Sequence, residues 1–121
     1  MIGKKIWAFA DCYPPGWSSN TIPEMQSHEA ICILNATDQQ AIVKVTLYFT
    51  DKEPMGPFEI SVASKRTKHA NLAKFSDEIK PTMEYSLVAE SNVPVVIQYT
   101  RLDSRQAENA LMTTMGFSVD A

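Results

Sequence analysis

The sequence predicts an all-β protein: a single antiparallel β-sandwich domain over residues 1–121, with about seven strands and a short C-terminal helical tail. Three observations support this prediction. Apolar and polar residues alternate in several short segments, as is typical of strands with one buried face. Polar segments rich in turn-forming residues separate them. The composition, 45% hydrophobic and 21% charged over 121 residues, is that of one folded globular domain and excludes a disordered chain.

The alternation is clearest in residues 41–50, where Val43, Val45 and Leu47 share one face and polar residues lie between them. This pattern predicts a half-buried antiparallel strand. Residues 30–34 are apolar on both faces, which predicts either a central strand or one covered by a neighbouring subunit. The other predicted strands are residues 6–10, 58–62, 67–72, 85–90 and 95–100.

Polar connections are predicted at residues 35–38, 51–57 and 91–94. Prolines occur in the last two, and a proline cannot donate a hydrogen bond inside a central strand. A longer loop, residues 11–27, carries Tyr13 and Trp17. These rings could stack on a sugar or a partner, but packing against the open end of the sandwich is the favoured interpretation, because large aromatic rings contribute most when buried.

The C-terminal tail, from about residue 103 to 121, is the one segment with helical spacing. Asp103 can cap a helix, and Gln106 follows three residues later as in a capping box. Apolar residues then recur at helical intervals, and Gly116 is positioned to end the helix. These residues are Ala107, Ala110, Leu111 and Met115.

Charge and targeting signals narrow the functional class. The chain has 11 basic and 14 acidic residues, a net charge of −3, which argues against a nonspecific nucleic-acid binder. No apolar run approaches the length of a membrane span. The first apolar stretch is too short for a signal peptide and runs into Asp11. We therefore expect a cytoplasmic protein with reduced cysteines.

The sequence carries no signature of catalysis or metal binding. It has no nucleophile elbow, no phosphate-binding glycine-rich loop and no metalloprotease motif. Neither of its two histidines has a ligand partner at metal-binding spacing, and no Cys-x-x-Cys pair occurs. We expect a non-enzymatic protein with no metal and no cofactor.

The densest basic stretch contains Arg66, Lys68 and His69. In a strand, Arg66 and Lys68 share one face and His69 lies on the other. Arg66 could present a planar fork to a carboxylate or phosphate, and Lys68 a point charge. The alternative is a solvated edge strand protected by its lysine.

A second candidate site lies near the predicted strand–helix junction, at Arg101, Asp103, Arg105 and Gln106. This mixture of donors and acceptors suits a hydroxyl-rich ligand. The alternative is an internal Arg–Asp network that stabilises the junction or pairs across a subunit boundary.

A third candidate set begins the apolar strand. His28 and Glu29 are adjacent, so they point to opposite faces and cannot form a simple acid–base pair in one pocket. His28 could bond a ligand hydroxyl or a carboxylate across the sheet. Asn35, at the end of the same segment, completes the candidate ligand-binding residues.

Four of these segments, in this order, resemble the sensory rhodopsin transducer family: residues 28–35, 51–57, 66–69 and 98–111. The resemblance spans residues 7–111. It implies a β-sandwich, a cytoplasmic location and a homo-oligomer, with a tetramer as the expected form. It also implies a role in relaying the signal of a membrane sensory rhodopsin. Resemblance to the wider superfamily implies sugars or sugar derivatives as ligands, and resemblance to the founding branch implies DNA binding.

These implications order the functional expectations. The first is a non-enzymatic cytoplasmic signalling domain that relays a photoreceptor or ligand signal. The second is a sugar-binding module linked to carbohydrate metabolism. The third is a DNA-binding regulator that uses the basic stretch at residues 65–69, whose affinity would fall steeply with added salt.

Overall fold

The computed structural model describes residues 1–75 and 79–120, and its regular secondary structure consists almost entirely of antiparallel strands. Two short 3-10 turns, Pro23–Met25 and Leu72–Lys74, are its helical elements among these residues. No helix in the described part of the chain has the length and apolar character needed to cross a membrane. The strands are β1 (Lys4–Cys12), β2 (His28–Asn35), β3 (Ala41–Phe49), β4 (Met55–Val62), β5 (Arg66–Asn71), β6 (Tyr85–Asp103), β7 (Ala110–Met115) and β8 (Phe117–Val119).

The strands form one continuous hydrogen-bonded network with two halves that share β6. The first half has the order β4–β3–β6–β1–β8, and the second has the order β5–β2–β6–β7. Residues 85–91 of β6 pair with β3, and residues 96–102 pair with β2. Strand β6 therefore connects the two halves covalently as well as by hydrogen bonds.

Both halves contribute to a single hydrophobic core. Val43, Val45 and Leu47 of β3 are fully buried, as the period-two pattern predicts. Ile31 and Ile33 of β2 are buried in the same cluster from the other half. The prediction of an all-β antiparallel fold is confirmed, and β2 is the central strand that its two-sided apolar pattern indicates, because it lies between β5 and β6.

The predicted turn at residues 91–94 does not divide β6, which runs without interruption for 19 residues. The reason is visible at Asn92, whose Oδ1 accepts a hydrogen bond from the Ile42 amide at 2.6 Å and whose Nδ2 donates to the Gln40 carbonyl at 3.2 Å. This side chain bonds the start of β3 where β6 passes from one half to the other. Pro94 lies at the same crossing, beside an irregularity in the ladder with β1.

The predicted C-terminal helix is wrong, and its residues form β7 and β8 instead. Asp103 accepts a hydrogen bond from the Arg105 amide at 3.1 Å, which closes a tight turn rather than capping a helix. The chain then returns alongside β6, with Asp103 opposite Ala110 and Gln98 opposite Met115. Pairing with β6 fixes this segment through hydrogen bonds to a strand of the core, whereas an isolated helix of this length is marginal in water.

This correction also changes the strand count from about seven to eight. Two predicted strands are one in the structure, and β7 and β8 are new. The chain crosses from β7 to β8 at Gly116, where an added Cβ would lie 2.4 Å from the Ala8 carbonyl oxygen. Only glycine permits this close approach. Residue 121, the last of the predicted tail, lies outside the described residues.

Strand β4 begins earlier than predicted, at Met55 rather than near Phe58. Its start includes Pro57, which the sequence places in a connection. The strand tolerates the proline because β4 is the edge of its half, and the ladder with β3 is irregular between Val45 and Leu47.

Asn35 connects the end of β2 to two other segments from a fully buried position. Its Nδ2 donates to the carbonyls of Gln39 at 2.8 Å and Val62 at 3.1 Å. Its Oδ1 accepts from the Thr37 amide at 3.0 Å and the Thr37 hydroxyl at 2.7 Å. The side chain therefore holds the β2–β3 turn against the end of β4.

Replacing Asn35 with Ala should lower the free energy of unfolding by about 2–3 kcal/mol, because it leaves several buried groups without a partner. Chemical denaturation measures this change. The matched control is Asn109→Ala, at an exposed position in the β6–β7 connection, where the change should stay within about 0.5 kcal/mol. Equal effects of the two substitutions would contradict the role assigned to Asn35.

Candidate functional site

The buried carboxylate of Glu29 is the centre of a polar cluster inside the protein. The Glu29 residue is 3% exposed. Its Oε1 accepts a hydrogen bond from the Tyr85 hydroxyl at 2.8 Å. Its Oε2 accepts from the Tyr13 backbone amide at 2.9 Å and from the Tyr99 hydroxyl. All three described partners donate, which is the arrangement that satisfies an ionised carboxylate.

The strands bring these groups together from distant parts of the sequence. Glu29 points inward from the second residue of β2, next to Ile31, which pairs with Tyr99 of β6. Tyr85 begins β6 and pairs with Cys12 of β1. Tyr85 and Tyr99 are an even number of residues apart, so both point into the core although they belong to different halves.

Burial controls the titration of this cluster. Loss of water raises the pKa of the Glu29 carboxyl above its ordinary value, and the hydrogen bonds from Tyr99, Tyr85 and Tyr13 act in the opposite direction. Burial and the neighbouring Glu29 raise the pKa values of both tyrosine hydroxyls. Burial raises the pKa of the Cys12 thiol as well. The hydroxyls and the thiol therefore stay neutral.

Directly outside this cluster lies an open groove of about 360 Å³. It is lined by Asp11, Tyr13, Glu84, Arg101, Asp103, Arg105, Ala110 and Met112. These residues come from the end of β1 and the loop that follows it, from the end of β6 and the residues that flank this strand on either side, and from the start of β7. The groove thus forms where the two halves and the loop meet.

Asp103 and Arg105 form a two-pronged ion pair on one wall. The Arg105 Nη2 lies 2.7 Å from Asp103 Oδ2, and Nε lies 3.0 Å from Oδ1. This guanidinium lowers the pKa of the Asp103 carboxyl. The Arg105 Nη1 also donates to the Tyr13 hydroxyl at 3.4 Å, so the ion pair orients that ring.

Arg101 lies between the groove and the buried carboxylate. It is opposite Glu29 in the β2–β6 ladder. Its guanidinium is 5.7 Å from the centre of the Tyr13 ring and 6.0 Å from that of Tyr99. Its contact with Asp11 Oδ2, at 4.0 Å, is long. The groove therefore combines an aromatic ring with two guanidinium groups and several carboxylates, a set suited to binding a polar organic molecule.

The structure brings together four of the ten candidate residues, Glu29, Arg101, Asp103 and Arg105. Gln106 follows the groove in sequence but is exposed, and its backbone carbonyl accepts from the Ser19 hydroxyl at 3.0 Å. His28 faces away from Glu29, and its Nδ1 lies 2.7 Å from the Gln26 carbonyl oxygen. Asn35 has the structural contacts described above.

The basic stretch lies apart from the groove on β5, the edge strand of the second half. Arg66, Lys68 and His69 are all exposed. Arg66 donates to the Lys65 carbonyl at 3.0 Å, and Lys68 Nζ donates to the Ser61 carbonyl at 3.0 Å. The stretch therefore has the form of a solvated edge strand, with one lysine bonded to the end of β4.

Sequence reasoning missed Tyr85 and Tyr99 as partners of Glu29, because they lie 56 and 70 residues from it. It also missed the buried Ser104, which holds the loop after β1 in place. The Ser104 hydroxyl lies 2.6 Å from that of Ser18, and its carbonyl accepts from the Ser19 amide at 2.8 Å. The one signal in the sequence is the placement of both tyrosines at inward positions of predicted strands.

The described residues include no group of three or more His, Cys, Asp or Glu side chains arranged to hold a metal ion. Both cysteines are free thiols; Cys12 is buried and Cys32 is half-buried.

Comparison with known proteins gives a consistent result. No curated protein sequence matches the chain. Among solved structures, Thermotoga maritima 1070 is 36% identical with a TM-score of 0.89, over 99% of this chain and 98% of that one. The Anabaena sensory rhodopsin transducer is 45% identical with a TM-score of 0.74, over 88% of this chain and 94% of that one. The family model described as Anabaena sensory rhodopsin transducer matches residues 2–118. The chain therefore belongs to the Anabaena sensory rhodopsin transducer family.

Proposed function

We propose that this protein is a non-enzymatic cytoplasmic signalling domain that relays the state of a membrane photoreceptor of the sensory rhodopsin type. The observation that carries the proposal is the 45% identity with the Anabaena sensory rhodopsin transducer over 88% of this chain. The buried carboxylate supports the non-enzymatic part, because Glu29 is enclosed by three donors and is not presented to a substrate.

Relay of a signal requires that the partner bind two states of this protein with different affinities. The groove is well placed for such a difference, because it lies where the loop after β1 meets both halves of the fold. A partner bound in the groove would contact Tyr13, whose backbone amide donates a hydrogen bond to the buried Glu29 carboxylate.

Purified protein should bind a sensory rhodopsin reconstituted in lipid nanodiscs, with an affinity that changes on illumination. Surface plasmon resonance in the dark and in the light measures both quantities. A light-driven ion-pumping rhodopsin in the same nanodiscs is the control and should not bind. Failure to bind the sensory rhodopsin under either condition would contradict the proposal.

A second candidate function is the binding of a small hydroxylated molecule, such as a sugar or sugar acid, in the groove. The observation that favours it is the Tyr13 ring with the Arg101 and Arg105 guanidinium groups 5.7 and 5.6 Å from its centre. Aromatic rings bind the apolar face of a sugar, and guanidinium and carboxylate groups bind its hydroxyls or an acid group.

Isothermal titration calorimetry against a panel of sugars and sugar acids tests this candidate. For any member of the panel that binds, Arg101→Gln should weaken the affinity about tenfold or more, since one charged hydrogen bond is lost. The control is Arg66→Gln on the exposed edge strand β5, which should bind as the wild type does. An equal loss in both variants would place the ligand elsewhere.

We also propose that the protein forms a homo-oligomer, with a tetramer as the expected form, through the outer face of the second half. The strand pairings place Cys32, Gln98, His69 and Met115 in one row of this face, and Leu34, Val96 and Thr67 in the next. The described residues of these rows include no Asp, Glu, Lys or Arg. A second copy of the chain can pack on this face with its own copy of the same face, because burying these rows removes no Asp, Glu, Lys or Arg side chain from water.

Light scattering should give a mass several times that of the 13.5 kDa chain. Leu34→Glu should reduce this mass, because it buries a carboxylate in the proposed interface. Tyr48→Glu is a matched control on the first half, since Leu34 and Tyr48 are each 42% exposed. A monomeric wild type, or dissociation by the control alone, would contradict the proposed interface.

A further inference from the structure

Tyr13 belongs to both the buried cluster and the groove. Its backbone amide donates to Glu29 Oε2 at 2.9 Å and lies 3.3 Å from the Tyr99 hydroxyl oxygen. Its ring forms one wall of the groove, and its hydroxyl accepts from Arg105. A change at the buried carboxylate therefore reaches the groove through a direct hydrogen bond to Tyr13.

The three bonds to Glu29 differ in how they respond to a proton. The hydroxyls of Tyr85 and Tyr99 can rotate and become acceptors when a carboxyl group carries hydrogen. The Tyr13 backbone amide is a donor only. When Glu29 takes up a proton from solvent, the acceptor of this amide changes from a charged oxygen to a neutral one, and the bond weakens.

We propose that Glu29 is a proton-controlled positioning residue for the groove: its carboxylate holds Tyr13 in place, and protonation releases that hold and loosens the Tyr13 wall. Only the predicted effect on ligand affinity rests on the binding function proposed above for the groove. The hold on Tyr13 itself is a property of the ligand-free protein.

The groups that face Glu29 determine the pH range in which it takes up a proton. Arg101, opposite it on β6, favours the carboxylate. The Cys12 thiol at the end of β1 lies close to both Glu29 and Asp11, and its own burial and their negative charges keep it neutral. Tyr85 and Tyr99 are neutral donors. Burial outweighs the favourable contacts and raises the pKa of Glu29, so it takes up a proton at a higher pH than a surface glutamate.

The rest of the loop has anchors that do not titrate with Glu29. The Pro14 carbonyl accepts from the Thr82 amide at 2.7 Å. The Ser104 amide donates to the Ser27 hydroxyl at 2.9 Å. The response is therefore confined to the region of Tyr13, and the loop as a whole stays attached to the end of β6.

The affinity of any molecule that binds in the groove must then depend on pH, because its binding is linked to the ionisation of Glu29. A molecule that packs on the ordered Tyr13 ring binds the ionised form of Glu29 more tightly. Such a molecule must therefore lower the apparent pKa of Glu29, and its own affinity must fall as the pH falls through that pKa.

The stability of the fold changes in the opposite direction. Because the pKa of Glu29 is raised in the folded state, the folded protein binds the proton at a higher pH than the unfolded chain does. The contribution of this group to the free energy of unfolding is therefore largest below the ordinary glutamate pKa and is lost as the pH rises through the folded one.

The test is nuclear magnetic resonance of the labelled, ligand-free protein, titrated from neutral to acidic pH. We expect the Glu29 carboxyl carbon, the Tyr13 amide and the Arg105 Nε–H to change with one common midpoint above the ordinary glutamate pKa. Exchange of the Tyr13 amide with solvent, corrected for its intrinsic pH dependence, should become about tenfold faster below that midpoint.

Two variants separate this proposal from a merely structural role for Glu29. In Glu29→Gln, the Tyr13 and Arg105 signals should lose the transition at the Glu29 midpoint, and only the change of Arg105 that follows its partner Asp103 at lower pH should remain. Glu24→Gln, in the exposed 3-10 turn, should behave as the wild type does. If Glu29→Gln does not fold, Tyr99→Phe serves instead, because removal of one donor should raise the midpoint of all three signals together.

The proposal is overturned if Glu29 does not titrate before the protein unfolds in acid. It is also overturned if the Tyr13 amide stays constant while Glu29 titrates, or changes with a different midpoint. Because no ligand is present, these outcomes are independent of the rhodopsin and sugar experiments above.

Discussion

The architecture depends on strand β6, which pairs with β1 and β3 in one half of the fold and with β2 and β7 in the other. A strand that changes partners midway along its length needs a substitute for the backbone bonds it loses there. The Asn92 side chain supplies it at the start of β3. The two halves therefore enclose one core, and the residues at both ends of β6 come close to the loop after β1.

This geometry explains how an ionisable group is accommodated in the interior. Tyr85 begins β6 and Tyr99 lies near its end, yet both hydroxyls reach Glu29. Placing a carboxylate in the core is costly unless donors replace its water. Here two hydroxyls and the Tyr13 amide replace this water. Burial nevertheless raises the pKa of the Glu29 carboxyl above its ordinary value. The same amide links the interior to the groove outside.

Family membership and chemistry point to the same part of the molecule. The chain belongs to the Anabaena sensory rhodopsin transducer family, and its segment with the longest resemblance, residues 98–111, contains the groove residues Arg101, Asp103 and Arg105. The basic edge strand β5, the other candidate anion site, lies on the far side of β2 from them. The groove is thus the place where a proposal about ligands can be tested most directly.

The sequence by itself determined the fold class and most strands, because alternation such as that of Val43, Val45 and Leu47 is a local consequence of one buried face. It also placed Arg101, Asp103 and Arg105 together, since they are close in the chain. Only the tertiary structure decided that residues 110–115 form β7 rather than a helix, because the deciding partner is β6 and not the local spacing. It alone decided the partners of Glu29 as well: hydrogen bonds between residues 56 and 70 positions apart leave no periodic pattern in a single sequence.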